Sequence, residues 1–343
     1  MKQLKYTDWT TFGWHNLRFE VPEEWNLGKV TGDANSGYFR LDDAEIVRME
    51  VEWRPMKGGR AAAQRFSLSQ LVDRYLKNLQ QKAEKTGQRL DIQRSVDVLG
   101  GVTLPDKACE GFHWKADYRA VNIAWRCTTC NRVGLVRIFC RLNEDVGSVA
   151  TRVFRSLQDH PEEGRQTWGV YGFVFRVPEA FRLEEHILRS GHLRFVFKKG
   201  PTALHIERIG MADFLLKGWS IEEWFEDFFR KPLREYTCSY ESDQIQGHEG
   251  VRVIGRPKSR WKMILRPTLN RVRRSLHLRG RLWSCAASNR IFVVQAFSRD
   301  RNEDLSEEIS REVACHEEGQ AYQPGGDAGL EARSERAGGV GAG

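Results

Sequence analysis

A pattern of alternating hydrophobic and polar residues occurs twice in this chain. Phe19 and Val21 alternate with polar residues ahead of a proline, and Phe175 and Val177 do the same in the second half. A period of two is typical of a strand with one buried face, and proline commonly ends such a strand. The pattern therefore predicts equivalent strands in the two halves, offset by 175 − 19 = 156 residues.

Helical spacing of apolar residues predicts where the helices lie. One helix is predicted over residues 67–85, with Ser67 as its N-cap, and its counterpart begins near Ser220. Serine side chains accept hydrogen bonds from the free amides at a helix start. A closing helix is predicted over residues 146–157. Because strands and helices do not alternate as βαβ units, we expect antiparallel sheets with helices packed on them, an α+β fold.

The longest repeated motif is W-x-C-x-x-[CS]-N-R-[VI]. It begins at Trp125 and again at Trp283, an offset of 283 − 125 = 158 residues. Asn143 and Asn302 begin a third colinear match, offset by 302 − 143 = 159. Colinear matches at a nearly constant offset indicate a tandem duplication. We expect the two copies to pack on each other as a pseudo-twofold pair, because a duplicated unit can retain an ancestral dimer contact.

The duplication predicts how the chain is divided. The first α+β unit is predicted at residues 10–158, and a polar linker at 159–166 joins it to the second unit at 167–315. The second unit carries a basic insertion at about residues 256–281. Residues 316–343 contain few large apolar side chains, so a disordered C-terminal tail is predicted there.

Charge is unevenly distributed in this chain of 343 residues, whose formal net charge is +8. Residues 250–299 contain 13 Lys and Arg and no Asp or Glu, so the rest of the chain carries 8 − 13 = −5. The amino terminus lacks the apolar stretch of a signal peptide, and no apolar run is long enough to span a membrane. A cytoplasmic location with reduced thiols is therefore expected.

The opening F-x-V-P-x-x-W at Phe19–Trp25, the middle helix, the meander that carries the W-x-C motif and the closing helix together resemble the PsbP-like proteins. The resemblance covers both units, residues 10–158 and 167–315. It implies an α-β-α sandwich and a binding or adaptor role, usually without chemistry. It supplies no catalytic motif to carry over, and this chain lacks the export signals of the envelope members.

The first copy of the motif contains a candidate metal site. Cys127 and Cys130 have the spacing of a zinc knuckle. A structural zinc ion needs four ligands, and Cys109 or His113 on a neighbouring strand are the nearest candidates. The second copy has Ser288 in place of the second cysteine, so small buried hydrophobic thiols without metal also fit the pattern. A redox-active pair is a third alternative.

The basic insertion is the strongest candidate for partner binding. Arginine pairs with anionic groups, so an acidic protein, a nucleic acid or an anionic lipid surface fits it, and so does a solvated hairpin. The predicted partner-binding residues are Arg260, Trp261, Lys262, Arg266, Arg271, Arg273, Arg274, Arg279 and Arg281. Because no catalytic or nucleotide-binding motif is present, the sequence predicts a non-catalytic binding or scaffold protein that engages an anionic partner. The alternatives are nucleic-acid binding through the same insertion and a metal or thiol site at the C-x-x-C pair.

Overall fold

The computed structural model describes residues 2–56, 67–258 and 276–315, and strands dominate it. Strands hold 52% of these residues and helices 17%. The prediction of an α+β fold with helices packed on each sheet was therefore wrong. In the second half the helical content is low because the middle helix is divided into three short pieces. Gly218 lies in a left-handed turn between the first two (φ 79°).

The first half contains eleven strands and two helices within the described ranges. They are β1 (Lys2–Gln3), β2 (Trp9–Trp14), β3 (Leu17–Pro22), β4 (Asn26–Gly32), β5 (Gly37–Asp42), β6 (Val47–Pro55), α1 (Leu68–Thr86), β7 (Asp91–Arg94), β8 (Lys107–Lys115), β9 (Tyr118–Cys127), β10 (Arg132–Arg141), β11 (Glu144–Asp145) and α2 (Gly147–Arg155).

The second half contains ten strands and four helices within the described ranges. They are β12 (Arg165–Val170), β13 (Phe173–Pro178), β14 (Arg182–Arg189), β15 (His192–Lys199), β16 (Thr202–Gly210), α3 (Ala212–Leu215), α4 (Ile221–Phe228), α5 (Arg230–Leu233), β17 (Tyr236–Ile245), β18 (His248–Pro257), β19 (His277–Cys285), β20 (Arg290–Ser298), α6 (Leu305–Ser310) and β21 (Val313–Ala314).

Two seven-stranded antiparallel sheets have the same internal order. The first runs β4-β5-β6-β10-β9-β8-β7 and the second β14-β15-β16-β20-β19-β18-β17. In each sheet the W-x-C motif ends the fifth strand of the order and begins the hairpin turn to the fourth. The two copies of the motif therefore occupy equivalent places in the fold.

A five-stranded sheet, β21-β13-β12-β2-β3, joins the two halves. Strands β2 and β12 meet at Gly13 and Gly169, residues that the duplication makes equivalent. A side chain at Gly169 would meet the Thr11 carbonyl oxygen at 2.4 Å, so the strands approach closely only because both positions are glycine. Trp14 and Trp168 pack edge to face beside this contact, with ring centroids 5.2 Å apart. The halves therefore share one sheet and one aromatic core.

Individual helices, rather than a continuous helical layer, pack on the two large sheets. Val72 and Leu76 of α1 pack on Phe112 and Ala124 of the first sheet, and α4 places Trp224 against the second. Ser67 caps α1 as predicted, since its side chain accepts a hydrogen bond from the Gln70 amide at 3.3 Å. No helix within the described ranges combines the length and the apolar character that a membrane crossing requires.

Candidate functional site at the two W-x-C hairpins

Both W-x-C hairpins turn at asparagine. Asn131 and Asn289 have φ values of 57° and 51°, the left-handed region that asparagine tolerates better than most residues. The tryptophans Trp125 and Trp283 are fully buried beneath the strands. The motif therefore has a structural basis, with an indole under the sheet and a tight turn at its end.

The turn of the first hairpin contacts the linker that leads into the second half. One ligand atom from each of Cys127, Cys130, Asp159 and His160 lies within 4.8 Å of the others. The Cys127 Sγ is 3.7 Å from His160 Nδ1, and the Cys130 Sγ is 3.7 Å from Asp159 Oδ2. Two thiols, a carboxylate and an imidazole therefore converge on one small volume.

Local hydrogen bonds favour the thiolate form of Cys127. The backbone amides of Thr129 and Cys130 point at the Cys127 Sγ at 3.3 and 3.4 Å. The thiol of Cys130 donates to the same sulfur, and it is the largest cause that lowers the pKa of Cys127 to about 6. The pKa of Cys130 is raised in turn, because its proton is held in that bond and because its sulfur is partly desolvated beside the linker.

Asp159 is fully buried and contacts several neighbouring side chains. Trp125 Nε1 donates to its Oδ2 at 2.9 Å, and the Lys107 ammonium lies 3.2 Å from its Oδ1. Burial alone would raise the pKa of this carboxyl, but Lys107 and the hydrogen bonds outweigh burial and lower it. Arg132 of the motif donates to the Asp159 carbonyl and to the Ala34 carbonyl, each at 2.8 Å. The motif tryptophan and arginine thus both bind the linker.

The second hairpin has a related but incomplete cluster. Ligand atoms of His248, Cys285 and Cys315 lie within 4.8 Å of one another, and His248 Nε2 is 3.3 Å from the Cys315 Sγ. Burial raises the pKa of Cys315 to about 11. Ser288 occupies the place of Cys130.

Strand register shows which residues correspond in the two clusters. Gln158 forms a bridge with Arg18, and Ala314 pairs with Val174, the residue equivalent to Arg18. The residues that follow, Asp159 and Cys315, are therefore also equivalent. Cys109 pairs with Trp125, whereas Gly250 pairs with Trp283. Counting back two positions on β8 and β18 then places His248 where the first half has Lys107.

The structure separates the sequence-predicted metal ligands. Cys127 and Cys130 lie together, but Cys109 is outside their cluster. Cys109 lies on β8, where it pairs with Trp125 of β9 and packs against the core. Burial raises the pKa of Cys109 to about 11. The sequence analysis missed Asp159 and His160, which it placed in a polar linker. The sequence did contain a signal for them, because aspartate and histidine are both residue types that bind metals.

Only two of the predicted partner-binding residues are described. Residues Arg260, Trp261, Lys262, Arg266, Arg271, Arg273 and Arg274 lie outside the described ranges. Arg279 and Arg281 belong to β19, and Arg279 donates to the Arg301 carbonyl at 2.6 Å.

The assignment of Arg281 to a partner-facing surface was wrong. Its side chain is 7% exposed, and its guanidinium pairs with Asp243 at 2.9 Å, Asp304 at 3.1 Å and Glu307 at 2.9 Å. Arg281 therefore ties the second sheet to α6. A buried charge needs such partners, and β17 and the start of α6 supply three carboxylates that lie at least 304 − 281 = 23 positions from Arg281 along the chain.

A cleft of about 470 Å³ lies between the two halves beside the second hairpin turn. Ser288 and Arg290 line one wall, and Glu20 and Arg152 line the other. Arg152 pairs with Glu20 at 3.2 Å. Arg290 is half-buried, and Glu23, which lines the same cleft, is the carboxylate whose charge acts on it. Burial lowers the pKa of Arg290.

Four exposed apolar side chains belong to α3, α4 and the residues next to them, and we refer to them as the exposed apolar face. They are Met211 (60% exposed), Phe214 (68%), Trp219 (48%) and Phe228 (43%). Asn289 connects this face to the turn, because its carbonyl accepts from the Ala212 amide at 3.2 Å and its side chain pairs with Asp213. Met211 has a φ of 63°, an uncommon conformation for an exposed methionine.

No protein-family model and no curated protein matches this chain. Among solved structures it is similar to immunity protein TplEi of T6SS from Pseudomonas aeruginosa. For the complex with "L" peptide the TM-score is 0.32 at 10% identity, covering 90% of this chain and 98% of that one. For the apo structure the TM-score is 0.30 at 11% identity, covering 90% and 97%. Likenesses at this level identify neither the fold nor the function of this chain.

Proposed function

We propose that this protein is a binding protein without a reaction of its own. Its second half holds an acidic segment of a partner protein at the second W-x-C turn. The observation that carries the proposal is Arg290, a half-buried guanidinium that lines an open cleft. A charge withdrawn from water is favourable only when an opposite charge or hydrogen-bond acceptors replace the water.

Comparison with Arg132 supports this interpretation of Arg290. The equivalent Arg132 is buried and satisfied by two backbone carbonyls, one of them from Ala34 in the β4–β5 turn. The β14–β15 turn of the second half comprises only residues 190–191, whereas the β4–β5 turn comprises 33–36. The shorter turn leaves Arg290 without the equivalent carbonyl, so its guanidinium is available to an external acceptor.

Arg208 adds a second positive charge to this side of the second sheet. Arg208 pairs with Phe292 and Arg290 pairs with Gly210, so the two arginines lie two positions apart on one face. Burial, followed by repulsion from Arg290, lowers the pKa of Arg208 to about 9. Arg208 donates to the Tyr171 carbonyl at 2.8 Å and lies over the Phe173 ring, 5.5 Å from its centroid. A bound anion would relieve this repulsion.

The exposed apolar face indicates what accompanies the anionic group. Met211 directly follows β16, the strand that pairs with Arg290, and Phe214 lies in α3 beside the same turn, so exposed apolar side chains lie near the turn that precedes Arg290. Exposed apolar surface rimmed by polar residues is typical of protein interfaces. Glu20 is already paired, and the exposed Glu23 lies at the rim. We infer that the ligand is a peptide segment with a carboxylate beside an apolar side chain.

Selection from a displayed library of random peptides tests this proposal. We expect the wild-type chain to enrich peptides with Asp or Glu next to an aromatic or aliphatic residue. The best peptide should bind the Arg290→Gln variant at least about tenfold more weakly, because a charge-assisted hydrogen bond is lost. Phe214→Ser should also weaken binding. Arg189→Gln, an exposed arginine at the end of β14, is the matched control and should not.

Two results would overturn the proposal. One is the absence of enrichment by the folded wild-type chain. The other is enrichment of peptides whose affinity is the same for Arg290→Gln. Duplex DNA, single-stranded RNA and vesicles containing phosphatidylserine are titrated in parallel. Salt-sensitive binding to one of these that Arg290→Gln does not change would assign partner binding to the basic segment predicted from sequence. The cytoplasmic location stays a prediction.

A further inference from the structure

We propose that the first W-x-C hairpin and the linker bind one zinc ion through Cys127, Cys130, Asp159 and His160. The proposal is independent of the peptide site, which lies at the other hairpin. Two thiolates, an imidazole and a carboxylate are all established zinc ligands. The hairpin supplies the two sulfurs, and the linker supplies the nitrogen and the oxygen.

The spacing of the ligand atoms fits a tetrahedral ion. Zinc bonds of about 2.0–2.3 Å at tetrahedral angles place neighbouring ligand atoms about 3.3–3.8 Å apart. The Cys127 Sγ and His160 Nδ1 are 3.7 Å apart, and so are the Cys130 Sγ and Asp159 Oδ2. Cys130 is exposed and His160 is partly exposed, so an ion has a path from solvent.

The surrounding groups already hold the ligands in place. Two backbone amides donate to the Cys127 Sγ, which stabilises its thiolate form. Trp125 Nε1 donates to the Asp159 Oδ2, the kind of outer contact that orients a metal-binding carboxylate. Lys107 approaches the other oxygen, Oδ1, and also pairs with Asp106 at 2.7 Å, so Oδ2 still faces Cys130.

A zinc ion here would clamp the linker onto the first half. Asp159 and His160 lie shortly before β12, the strand that pairs with β2. Holding these two residues on the hairpin would fix where the second half begins. The second copy lacks the ligand at Ser288, so one ion per chain is expected.

Metal titration of the reduced, metal-free full chain tests the inference. Cobalt(II) should bind with one ion per chain and show the thiolate charge-transfer and tetrahedral d–d absorption bands. Zinc should displace the cobalt and raise the melting temperature with the logarithm of its free concentration. Cys130→Ser, which reproduces Ser288 of the second copy, and His160→Gln should each weaken binding by at least about tenfold. Cys109→Ser is the matched control and should bind like wild type.

Three outcomes would overturn the zinc site. The first is a folded, reduced wild-type chain that shows no cobalt thiolate absorption. The second is binding that Cys109→Ser abolishes and His160→Gln leaves unchanged. The third is a Cys127–Cys130 disulfide that forms reversibly while the reduced chain takes up no metal, which would assign the pair to redox chemistry. Circular dichroism of each variant shows that it is folded.

Discussion

At the scale of single residues, His15 shows how burial determines a side chain's charge. It lies at the tip of the β2–β3 hairpin with a φ of 50°. Its ring is 8% exposed and packs edge-on against Trp14 and Trp168, with centroids 5.5 and 5.2 Å away. Burial lowers its pKa from 6.5 to about 4. Between about pH 4 and pH 6.5, His15 is therefore neutral in the folded protein, whereas an exposed histidine would be charged.

We expect His15 to make the protein acid-sensitive. Between pH 6.5 and about 4 the unfolded chain binds a proton at His15 that the folded chain does not, so stability falls as the pH falls. Asp33 opposes this pKa shift, whereas Arg132 and His186 reinforce it.

His15→Asn, which tolerates the positive φ, should remove this contribution. Urea unfolding from pH 7 to pH 4 should show a loss in wild type that exceeds the variant's by up to about 3 kcal/mol. Equal slopes for the two proteins would contradict the assignment.

At the scale of elements, the caps explain why short helices form in a protein rich in strands. Ser220 and Glu223 form a capping box at the start of α4, with each side chain bonded to the other's backbone amide. The helix is eight residues long and buries Trp224 and Phe225 on the second sheet. A helix this short is marginal alone, so its cap and its packing together maintain it.

Ser220→Ala should destabilise the protein by about 1 kcal/mol, because it leaves helix amides without an acceptor. Ser67→Ala at the start of α1 is the matched comparison. It should cost less, since Ser67 makes a single bond at 3.3 Å and α1 is longer. Thermal unfolding of both variants measures the difference, and an equal or larger effect at Ser67 would contradict the role given to the capping box.

At the scale of the whole molecule, the contact between Gly13 and Gly169 joins the two halves. Each glycine lies where a side chain would meet the partner strand's backbone, at 2.6 Å for Gly13 and 2.4 Å for Gly169. The strands cannot separate without exposing the Trp14 and Trp168 rings beside them. The joint is therefore sensitive to a single methyl group.

Gly169→Ala should destabilise the protein by about 2 kcal/mol through overpacking at this joint. Gly210→Ala is the matched control, because a side chain there meets no atom closer than 3.6 Å and the position is also in a strand. Urea unfolding gives the free energies. Equal stability of the two variants would show that the strands adapt to the added methyl group.

The sequence predicted the parts of the fold that depend on near neighbours. The cap at Ser67 and the helix start near Ser220 were predicted correctly, because both depend on residues three or four positions apart. The fold class was wrong, because helical periodicity shows where helices occur but not how much of the chain pairs as strands. The surface role of Arg281 was also wrong, since its three acidic partners are distant along the chain.

By itself, the sequence determined the repeated order of strands and the place of the W-x-C hairpins, since both depend on local periodicity and turn residues. Only the tertiary structure brought Asp159 to Cys127, because those residues are 159 − 127 = 32 positions apart. It also decided that equivalent arginines differ, with Arg132 satisfied by carbonyls and Arg290 open to a cleft. Pairing across the chain depends on loop lengths and register, which no short stretch of sequence specifies.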